Sequence, residues 1–555
     1  MNASQNGVGF SLFLLKYLIF ENKKVGERRF CRGKLSAFML VSTSLSAPMA
    51  HAAGVQLGDV TITLQSTLGY TLGVRTAPVN NGALGLNTDD GDRNFRSGIM
   101  ENRFQTLEQL GVVDGNYGFR ASALAWIDTA YLQRNKNNSP YTVNAFGVGP
   151  QGFPSGTVAN EGRRIEPLAA FIYGSEYFAN GDQKLSWQIG RQTITWGESL
   201  FSLDGISSLQ APLDFYEAQS LPNPQAQSLF LPTGAASFAY SFASGLSLAA
   251  YWQFEYEPDI LPGSGSYFSS ADLVGPGASR ILVAPLNVTS ASIYRGPDIR
   301  PSNGLDQFGV SVRQNFGNVQ VGAYFVRGIP KTPAIYSTIY ATPQPGPAGA
   351  ALGQYRLVYA QPVNAYAISA STLFHGANVA AEISGRTNQP LISSVASYNA
   401  ATPASYDHPL YAIGNVVDAQ ISALYLTKPM PFMPNGANIA AELTLNKVLG
   451  VTKNKQNLAP GNTSEGGAFE ITFSPSWFPL NDVEVDLPLG WTTTFMGDSQ
   501  YDGSAAGTGA IDIGVKAIYK ANLTVGFNYQ RYYGPSNRQA LLDRDFATFY
   551  VQRTF

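Results

Sequence analysis

Apolar side chains occupy every second position over much of this chain. In residues 549–555 one alternate set is mainly apolar, with Phe549, Val551 and Phe555, and the other set is polar. A period of two predicts β-strands that turn only one face toward an apolar environment. The same period returns in residues 60–74, 117–127, 246–256, 469–473, 483–491, 511–519 and 523–529. The chain is therefore predicted to be all-β.

The connectors between these segments alternate in length. Short turns are predicted near residues 114–116, 179–183, 243–245, 316–318, 374–376, 478–481 and 520–522. Long loops are predicted near residues 133–164, 197–232, 257–304, 329–360, 388–411, 448–465 and 495–507. Outer-membrane barrels have short periplasmic turns and long extracellular loops. With both termini in the periplasm the strand number must be even, and we count about eighteen strands, with sixteen as the alternative.

The composition agrees with a barrel wall. Charged residues make up 13% of the chain and hydrophobic residues 44%, whereas a soluble chain carries about 25% charge. In a transmembrane barrel the lipid-facing residues alternate with polar residues that face the lumen. We therefore predict a transmembrane antiparallel β-barrel, and not a soluble sandwich.

The first 52 residues read as an export signal. A basic region that ends at Lys34 precedes a short apolar run over residues 35–45, and Ala50-His51-Ala52 supplies a small-x-small cleavage pattern. Residues 1–24 are predicted to be an over-extended gene start, with a genuinely long signal as the alternative. Residues 53–555 then form a single outer-membrane barrel domain.

Charge and motif content argue against several functions. Removal of residues 1–52 leaves 29 basic and 36 acidic residues, which makes a nucleic-acid partner unexpected. The only cysteine, Cys31, lies within the signal, so neither a disulfide nor a cysteine metal site is expected. Residues 53–555 contain two histidines, and they have no Gly-x-Ser-x-Gly elbow, nucleotide loop or metal-ligand cluster. We expect no enzyme activity, no cofactor and no metal.

One stretch carries a family resemblance. Residues 189–199 read Ile-Gly-Arg-Gln-Thr-Ile-Thr-Trp-Gly-Glu-Ser, and residues 250–259 and 265–272 add a second matching segment. The chain resembles a Gram-negative outer-membrane family, classed as a domain of unknown function, that has a G-R-Q-x-x-x-W-G-E-S strand and loop. The resemblance implies a large porin-like barrel. Relatives are often encoded near a periplasmic or lipoprotein-like partner and near inner-membrane exporters of the resistance-nodulation-division type.

Within the same stretch the apolar residues move from one alternate set to the other, that is, from one face of a strand to its opposite face. Trp187 and Ile189 hold one parity, whereas Ile194 and Trp196 hold the other. Either a β-bulge lies near Gly190, or both faces are covered because the 197–232 loop folds into the lumen. In the second case an internal pair of Arg191 with Glu198, joined by Asp214, would fasten the loop or line a constriction.

Further charges are predicted to face the lumen, because a charge facing lipid is costly. Two matching segments, residues 375–384 and 435–444, each place a glutamate on the polar face. The predicted lumen charges are Arg120, Asp128, Glu255, Arg313, Glu382, Glu442, Glu484, Asp486, Asp512 and Lys516. They either brace the wall as ion pairs or form a mildly cation-favouring aqueous path.

We expect an outer-membrane channel or facilitator for small solutes. Trp126, Tyr251 and Leu424 on the inner face would leave room for hydrophobic solutes. The alternative is an envelope lipid or efflux assembly component that acts with a periplasmic partner and an inner-membrane exporter. The expected partners are outer-membrane lipid, the barrel-assembly machinery and, in the alternative, a periplasmic or lipoprotein partner.

Overall fold

The computed structural model describes residues 53–80, 84–202, 204–222, 226–359, 361–394, 396–398, 405–406 and 408–555. The predicted export signal over residues 1–52 lies outside the described residues. Among the described residues, no helix is long and apolar enough to cross a membrane.

Eighteen strands pair in sequence order to form one closed antiparallel barrel. The barrel strands are β1 (Val60–Arg75), β2 (Gly98–Asp114), β3 (Tyr117–Asp128), β4 (Arg163–Phe178), β5 (Gln183–Gln192), β6 (Thr233–Ser241), β7 (Leu246–Gln253), β8 (Gln307–Phe316), β9 (Val319–Gly328), β10 (Val363–Phe374), β11 (Ala377–Pro390), β12 (Ile413–Leu426), β13 (Ala437–Lys453), β14 (Glu465–Leu480), β15 (Val483–Asp486 and Leu489–Met496), β16 (Gly509–Tyr519), β17 (Leu523–Tyr533) and β18 (Phe546–Thr554).

The connectors hold a second sheet and several short helices. The second sheet has five strands, which are Arg280–Leu282, Ser292–Arg295, Ala334–Gly346, Gly349–Val358 and Ala396–Tyr398. The α-helices are Asp90–Asn94, Ser155–Thr157, Phe215–Ser220 and Ala226–Leu229, a π-turn covers Val158–Gly162, and 3₁₀ turns cover Thr129–Tyr131, Ala179–Gly181, Ile206–Leu209 and Lys455–Asn457. All five strands of this sheet come from long connectors, and the sequence analysis did not predict them.

The first and last strands close the barrel. β18 pairs with β1 from Arg75 opposite Phe546 to Thr67 opposite Thr554. The terminal Phe555 continues this ladder, because its N–H donates to the Ser66 carbonyl at 2.8 Å. Beyond that point a short N-terminal strand, Ala53–Leu57, pairs with the start of β1. The edge of β1 therefore has backbone partners along its whole length.

The two faces of the wall differ as the alternation predicts. On β18 Phe549 is 44% exposed, whereas its neighbours Thr548 and Tyr550 are buried against the lumen side. The outward positions of β16 and β17 carry exposed apolar residues such as Ile513 and Phe527. Apolar residues outward and polar residues inward are what a wall in contact with lipid requires. The predicted fold class is confirmed, with eighteen strands and not sixteen.

The two ends of the barrel also differ. Short turns such as residues 115–116 and 375–376 lie at one end, which we call the short-turn end, and long connectors lie at the other, the long-loop end. The barrel begins and finishes at the short-turn end, because Val60 pairs with Asp114 and Thr554 with Thr67. That this end faces the periplasm stays a prediction.

Two strands differ in detail from the sequence analysis. Residues 102–113, for which the sequence analysis gave no strand because their alternation is weak, lie within strand β2. The predicted strand over residues 483–491 is interrupted at Leu487-Pro488. Proline has no N–H to donate to a ladder, so the strand breaks there and resumes at Leu489.

Gly190 lies within the regular part of β5, which stays in register as far as Gln192. The strand pairs with β4 and β6 without a register shift, so the predicted bulge at Gly190 is wrong. Gly190 has φ +132°, and a Cβ atom there would lie 2.4 Å from the Ala170 carbonyl oxygen. Ile194 and Trp196 belong to the same alternate set as Gln192, which faces inward. Both are covered because the loop that follows β5 folds into the lumen. The second explanation of the parity change is confirmed.

We predict that Gly190→Ala destabilises the barrel by at least about 1–3 kcal/mol, because a side chain is strained at this φ and collides with backbone. Urea unfolding of the purified protein in detergent micelles, followed by tryptophan fluorescence, measures this. The control is Gly385→Ala on β11, where an added Cβ has no neighbour within 4 Å. Equal midpoints for the two variants would contradict the prediction.

Candidate functional site

The connector between β5 and β6, residues 193–232, enters the barrel; we call it the inward loop. Its first half contacts the inner faces of β9–β13, and its second half contacts the inner faces of β2 and β4. A loop held by walls on two sides crosses the lumen. This confirms the prediction that one loop folds inside.

Two buried glutamates of the wall hold the first half of the loop. Glu382 on β11 accepts hydrogen bonds from the backbone N–H groups of Glu198 at 3.0 Å and Ile206 at 2.8 Å. Glu442 on β13 accepts from the N–H groups of three consecutive residues, Leu200, Phe201 and Ser202. A hydrogen bond to a charged acceptor contributes about 1.5–3 kcal/mol, so these carboxylates are strong anchors.

Arg386 lies four residues beyond Glu382 on the same face of β11, and it binds the same part of the loop. Its guanidinium donates to the carbonyl oxygens of Asp204 at 2.6 Å and Gly205 at 2.8 Å, and to the Ser208 hydroxyl at 2.6 Å. The Asn446 amide on β13 donates to the Asp204 carboxylate at 2.9 Å. The wall thus supplies acceptors for the loop's N–H groups and donors for its carbonyl oxygens.

An apolar patch lies beside these polar anchors. Ile206 and Leu209 of the loop are buried against Tyr324 and Val326 of β9 and small inner residues of β10. Trp196 lies edge-on to Tyr251 of β7, with ring centroids 4.8 Å apart. Small inner side chains on β10 let the loop backbone approach the wall.

The second half of the loop is held by buried ion pairs. Asp214 caps the helix Phe215–Ser220 by accepting the Glu217 N–H at 2.9 Å, and its other oxygen lies 3.1 Å from the Arg164 guanidinium of β4. Glu217 lies 2.5 Å from the fully buried Arg103 of β2, whose guanidinium lies 4.2 Å over the Trp126 ring. Burial raises the pKa of Asp214 to about 7, although Arg164 opposes that rise.

The predicted trio of Arg191, Glu198 and Asp214 is not formed, and this part of the prediction is wrong. Arg191 pairs with Glu255, 3.3 Å away, and Glu255 also accepts the Gly234 N–H at 2.6 Å. Asp214 pairs with Arg164 instead. The reason is the path of the loop, which carries Glu198 across the lumen to β10 and β11 before Asp214 returns to β4.

Glu198 is the predicted residue that faces the interior with only weak support for its carboxylate. Its side chain accepts the Ser369 hydroxyl at a long 3.5 Å, and it lies within electrostatic range of Arg313 on β8. Burial raises the pKa of Glu198 above its ordinary value, and Arg313 and Ser369 oppose the rise. An acidic loop residue and a basic wall residue therefore lie within electrostatic range of each other on the inner side of the barrel.

The other predicted residues brace the wall or lie nearer its ends. Asp128 ends β3 and accepts the N–H groups of Asn102 and Ala130, so it is a buried cap and not a lining residue. The remaining contacts are Asp486 with Lys516 at 3.1 Å, Asp512 with the Asn528 amide at 2.6 Å, Glu484 with the Ser476 hydroxyl at 3.1 Å, and Arg120 over the Tyr173 ring at 5.8 Å.

Sequence reasoning missed Arg103, Arg164, Glu217 and Gln210. Gln210 accepts the Trp196 N–H at 2.5 Å, and its carbonyl accepts from Gln253. Arg103 was hidden because residues 102–113 did not read clearly as a strand. Once β2 is assigned, an arginine at an inward position of its wall is the signal for a buried partner on the loop.

The model of DUF1302, described as a protein of unknown function, matches residues 34–555. No curated protein matches the chain.

Several solved outer-membrane proteins have a similar chain course. Salmonella typhi OmpF in complex with daunomycin is 11% identical, covers 91% of this chain and 100% of its own, and has a TM-score of 0.37. The outer membrane channel DcaP of Acinetobacter baumannii is 10% identical, with coverages of 91% and 100% and a TM-score of 0.37. Acinetobacter baumannii OccAB1 is 9% identical, with coverages of 92% and 99% and a TM-score of 0.41. Likenesses at this level carry no argument about what this chain transports or binds.

We predict that Glu442→Gln releases the first half of the inward loop. Glutamine carries no charge and places an NH₂ group against backbone N–H donors. Amides 200–202 should then exchange hydrogen for deuterium about tenfold faster or more, because loss of about 1.4 kcal/mol corresponds to a factor of ten. Hydrogen-exchange mass spectrometry of the purified protein measures this.

Glu470→Gln is the matched control. Glu470 lies directly opposite Glu442 in the β13–β14 ladder, and among the described residues no inward-loop amide donates to it. The control should leave exchange over residues 197–209 unchanged. Similar exchange in both variants would show that Glu442 does not anchor the loop.

Proposed function

This chain belongs to the DUF1302 family of proteins of unknown function, and from its own barrel and lumen we propose that it is an outer-membrane channel for small solutes. The single observation that carries the proposal is the inward loop, pinned by Glu382 and Glu442 across the lumen of a closed barrel. The finer points below are part of the same proposal.

The outer wall supports a membrane location. Exposed large apolar residues lie on the outward face of strand after strand, for example Phe308, Ile368, Ile421 and Trp491. A closed barrel leaves no unpaired backbone edge in lipid, which is the condition for strands to span a bilayer. Barrels of this kind belong to the outer membrane of Gram-negative bacteria.

The width of the barrel supports a passage. Barrels of 16–18 strands enclose an interior that side chains from the wall do not fill. The inward loop narrows this interior without a separate plug domain among the described residues. Its attachment through backbone N–H groups fixes its position on the wall, as a selective constriction requires.

The chemistry at the loop favours small polar solutes. Glu198 of the inward loop and Arg313 of the wall place opposite charges within electrostatic range of each other inside the barrel. Trp126 and Tyr251, which were expected to leave room for hydrophobic solutes, are instead packed beneath the inward loop. We therefore assign polar or charged small solutes to the channel, and no catalytic step.

The proposal also includes the route to the membrane. The short-turn end, which carries both barrel termini, would face the periplasm. The signal over residues 1–52 would direct the chain to the barrel-assembly machinery. Orientation can be read from the side at which an epitope tag after Phe555 becomes accessible in intact cells.

We predict that purified protein in planar lipid bilayers gives stepwise increases of ion current. A barrel whose inward loop leaves a polar passage open must conduct, because water and ions fill such a passage. Single-channel recording in 1 M KCl measures the steps. A wild-type protein that inserts but conducts no ions would contradict the channel, and loss of an envelope lipid in a deletion strain would favour the export component instead.

We predict that Glu198 sets part of a pH-dependent cation preference. Its raised pKa means that it takes up a proton at higher pH than an ordinary glutamate does. As the pH is lowered, Glu198 should therefore lose its charge before ordinary glutamates do, and the cation preference of the channel should fall at that step. Glu198→Gln should show lower K⁺ over Cl⁻ selectivity at pH 7, by about two-fold or more, and should lose this pH step. Reversal potentials in a KCl gradient measure both.

The control is Glu465→Gln, which removes a half-exposed carboxylate that pairs with Lys447 at the start of β14. It removes the same charge at a residue that pairs with Lys447 and not with the inward loop, so it should keep the wild-type selectivity. If Glu198→Gln has the same K⁺ over Cl⁻ selectivity as the wild-type protein, and the same dependence of that selectivity on pH, then Glu198 does not line the passage.

A further inference from the structure

Three buried aspartates meet at the long-loop end, outside the lumen site. Asp89 and Asp90 lie in the connector between β1 and β2, and Asp272 lies in the connector between β7 and β8. Each is at most 3% exposed. One carboxylate oxygen from each residue lies within 4.8 Å of the others. Three carboxylates this close repel one another strongly unless a positive charge lies between them.

Hydrogen bonds orient these carboxylates, but two of their oxygen atoms accept no hydrogen bond among the described residues. Asp272 Oδ2 accepts the Asp90 N–H at 3.0 Å, so this carboxylate is aimed at Asp90. Asp89 Oδ2 accepts from Arg93 and Thr142. Asp89 Oδ1 and Asp272 Oδ1 are buried and have no hydrogen-bond partner among the described residues.

A neutral oxygen in the same network is also without a donor. Asn144, from the β3–β4 connector, is fully buried, and its backbone N–H donates to Asp90 Oδ2 at 2.9 Å. Its side-chain NH₂ donates to Asn87, whose carbonyl in turn accepts the Asp272 N–H. Its side-chain oxygen, Oδ1, has no partner among the described residues. A buried amide oxygen left without a donor costs free energy unless it contacts a ligand.

The neighbouring Asp92 shows how the fold treats a carboxylate that it neutralises itself. Asp92 lies 3.0 Å from Arg75 and 2.5 Å from Arg544. Among the described residues, neither Asp90 nor Asp272 has a salt bridge of this kind. Burial raises the pKa of Asp272 to about 7, and burial together with the Asp272 charge raises that of Asp90. Arg93 therefore supplies the one paired positive charge, at Asp89, whereas Asp90 and Asp272 have no paired cation among the described residues.

We propose that Asp89, Asp90 and Asp272 bind a Ca²⁺ ion, with the Asn144 amide oxygen as a neutral ligand. Ca²⁺ takes six to eight oxygen ligands at about 2.3–2.6 Å, so two ligands on one ion lie at most about 5 Å apart, which accommodates the observed spacing. Carboxylate and amide oxygens without histidine or cysteine favour Ca²⁺ over Zn²⁺. The ion ties together three connectors, which follow β1, β3 and β7.

This inference revises the expectation of no metal that the sequence analysis made. Asp89 and Asp90 are adjacent in sequence, but Asp272 and Asn144 are far away, so no spacing motif reveals the site. The inference does not depend on the channel function, because the cluster lies in the connectors and not in the passage.

The test is Ca²⁺ binding by the full barrel, purified from membranes and stripped with EDTA. Isothermal titration with CaCl₂ should give one saturable site per chain, with a Kd of about 10⁻³ M or tighter. Thermal unfolding in detergent should shift upward by roughly 2 °C or more in Ca²⁺. Asp272→Asn should abolish both effects.

Asp306→Asn is the matched control. Asp306 lies in the same β7–β8 connector, but it is half-exposed and pairs with Arg327. It should keep the binding and the shift of the wild-type protein. If Asp272→Asn does not fold, titration of the wild-type protein with Ca²⁺ and Mg²⁺ still decides, because a site of this kind prefers Ca²⁺. Absence of saturable Ca²⁺ binding by the wild-type protein, or equal binding by Asp272→Asn, would overturn the proposal.

Discussion

Backbone pairing between the first and last strands is the constraint on which the rest of the structure depends. In hydrocarbon an unpaired N–H or carbonyl group costs several kcal/mol, so a sheet in a membrane must have no edge. The pairing of Arg75–Thr67 with Phe546–Thr554 removes that edge, and the strand Ala53–Leu57 covers the remainder of β1. Closure then forces each strand to present one face to lipid and the other to the lumen.

Closure with eighteen strands creates a second requirement, because the interior is too wide for wall side chains to fill. The inward loop meets this requirement by using the polar inner face as its binding surface. Glu382, Glu442 and Arg386 take up loop backbone groups, while Arg103 and Arg164 take up loop carboxylates. Two of the predicted acidic lumen residues, Glu382 and Glu442, therefore hold the loop, and Glu198 of the loop lies within electrostatic range of Arg313.

The sequence reveals strands, faces and connector lengths because these depend on local spacing. The repeated segments around Glu382 and Glu442 even place two of the loop anchors on the correct face. The partners of those residues were not predictable in the same way. Glu442 contacts residues 200–202, far away in sequence, and this contact depends on the position of β13 in the assembled barrel. Arg191 was paired with the wrong carboxylate for that reason, and Arg103 was overlooked because its strand has weak alternation.

The central claim is that Glu198 lines a conducting passage. The most direct measurement uses Glu198→Cys in a Cys31→Ser background, since Cys31 is the only cysteine of the chain. Single-channel current is recorded while a positively charged methanethiosulfonate reagent is added. The account predicts a stepwise fall in K⁺ current as each thiol is modified. Unchanged current with complete modification by mass spectrometry would contradict it.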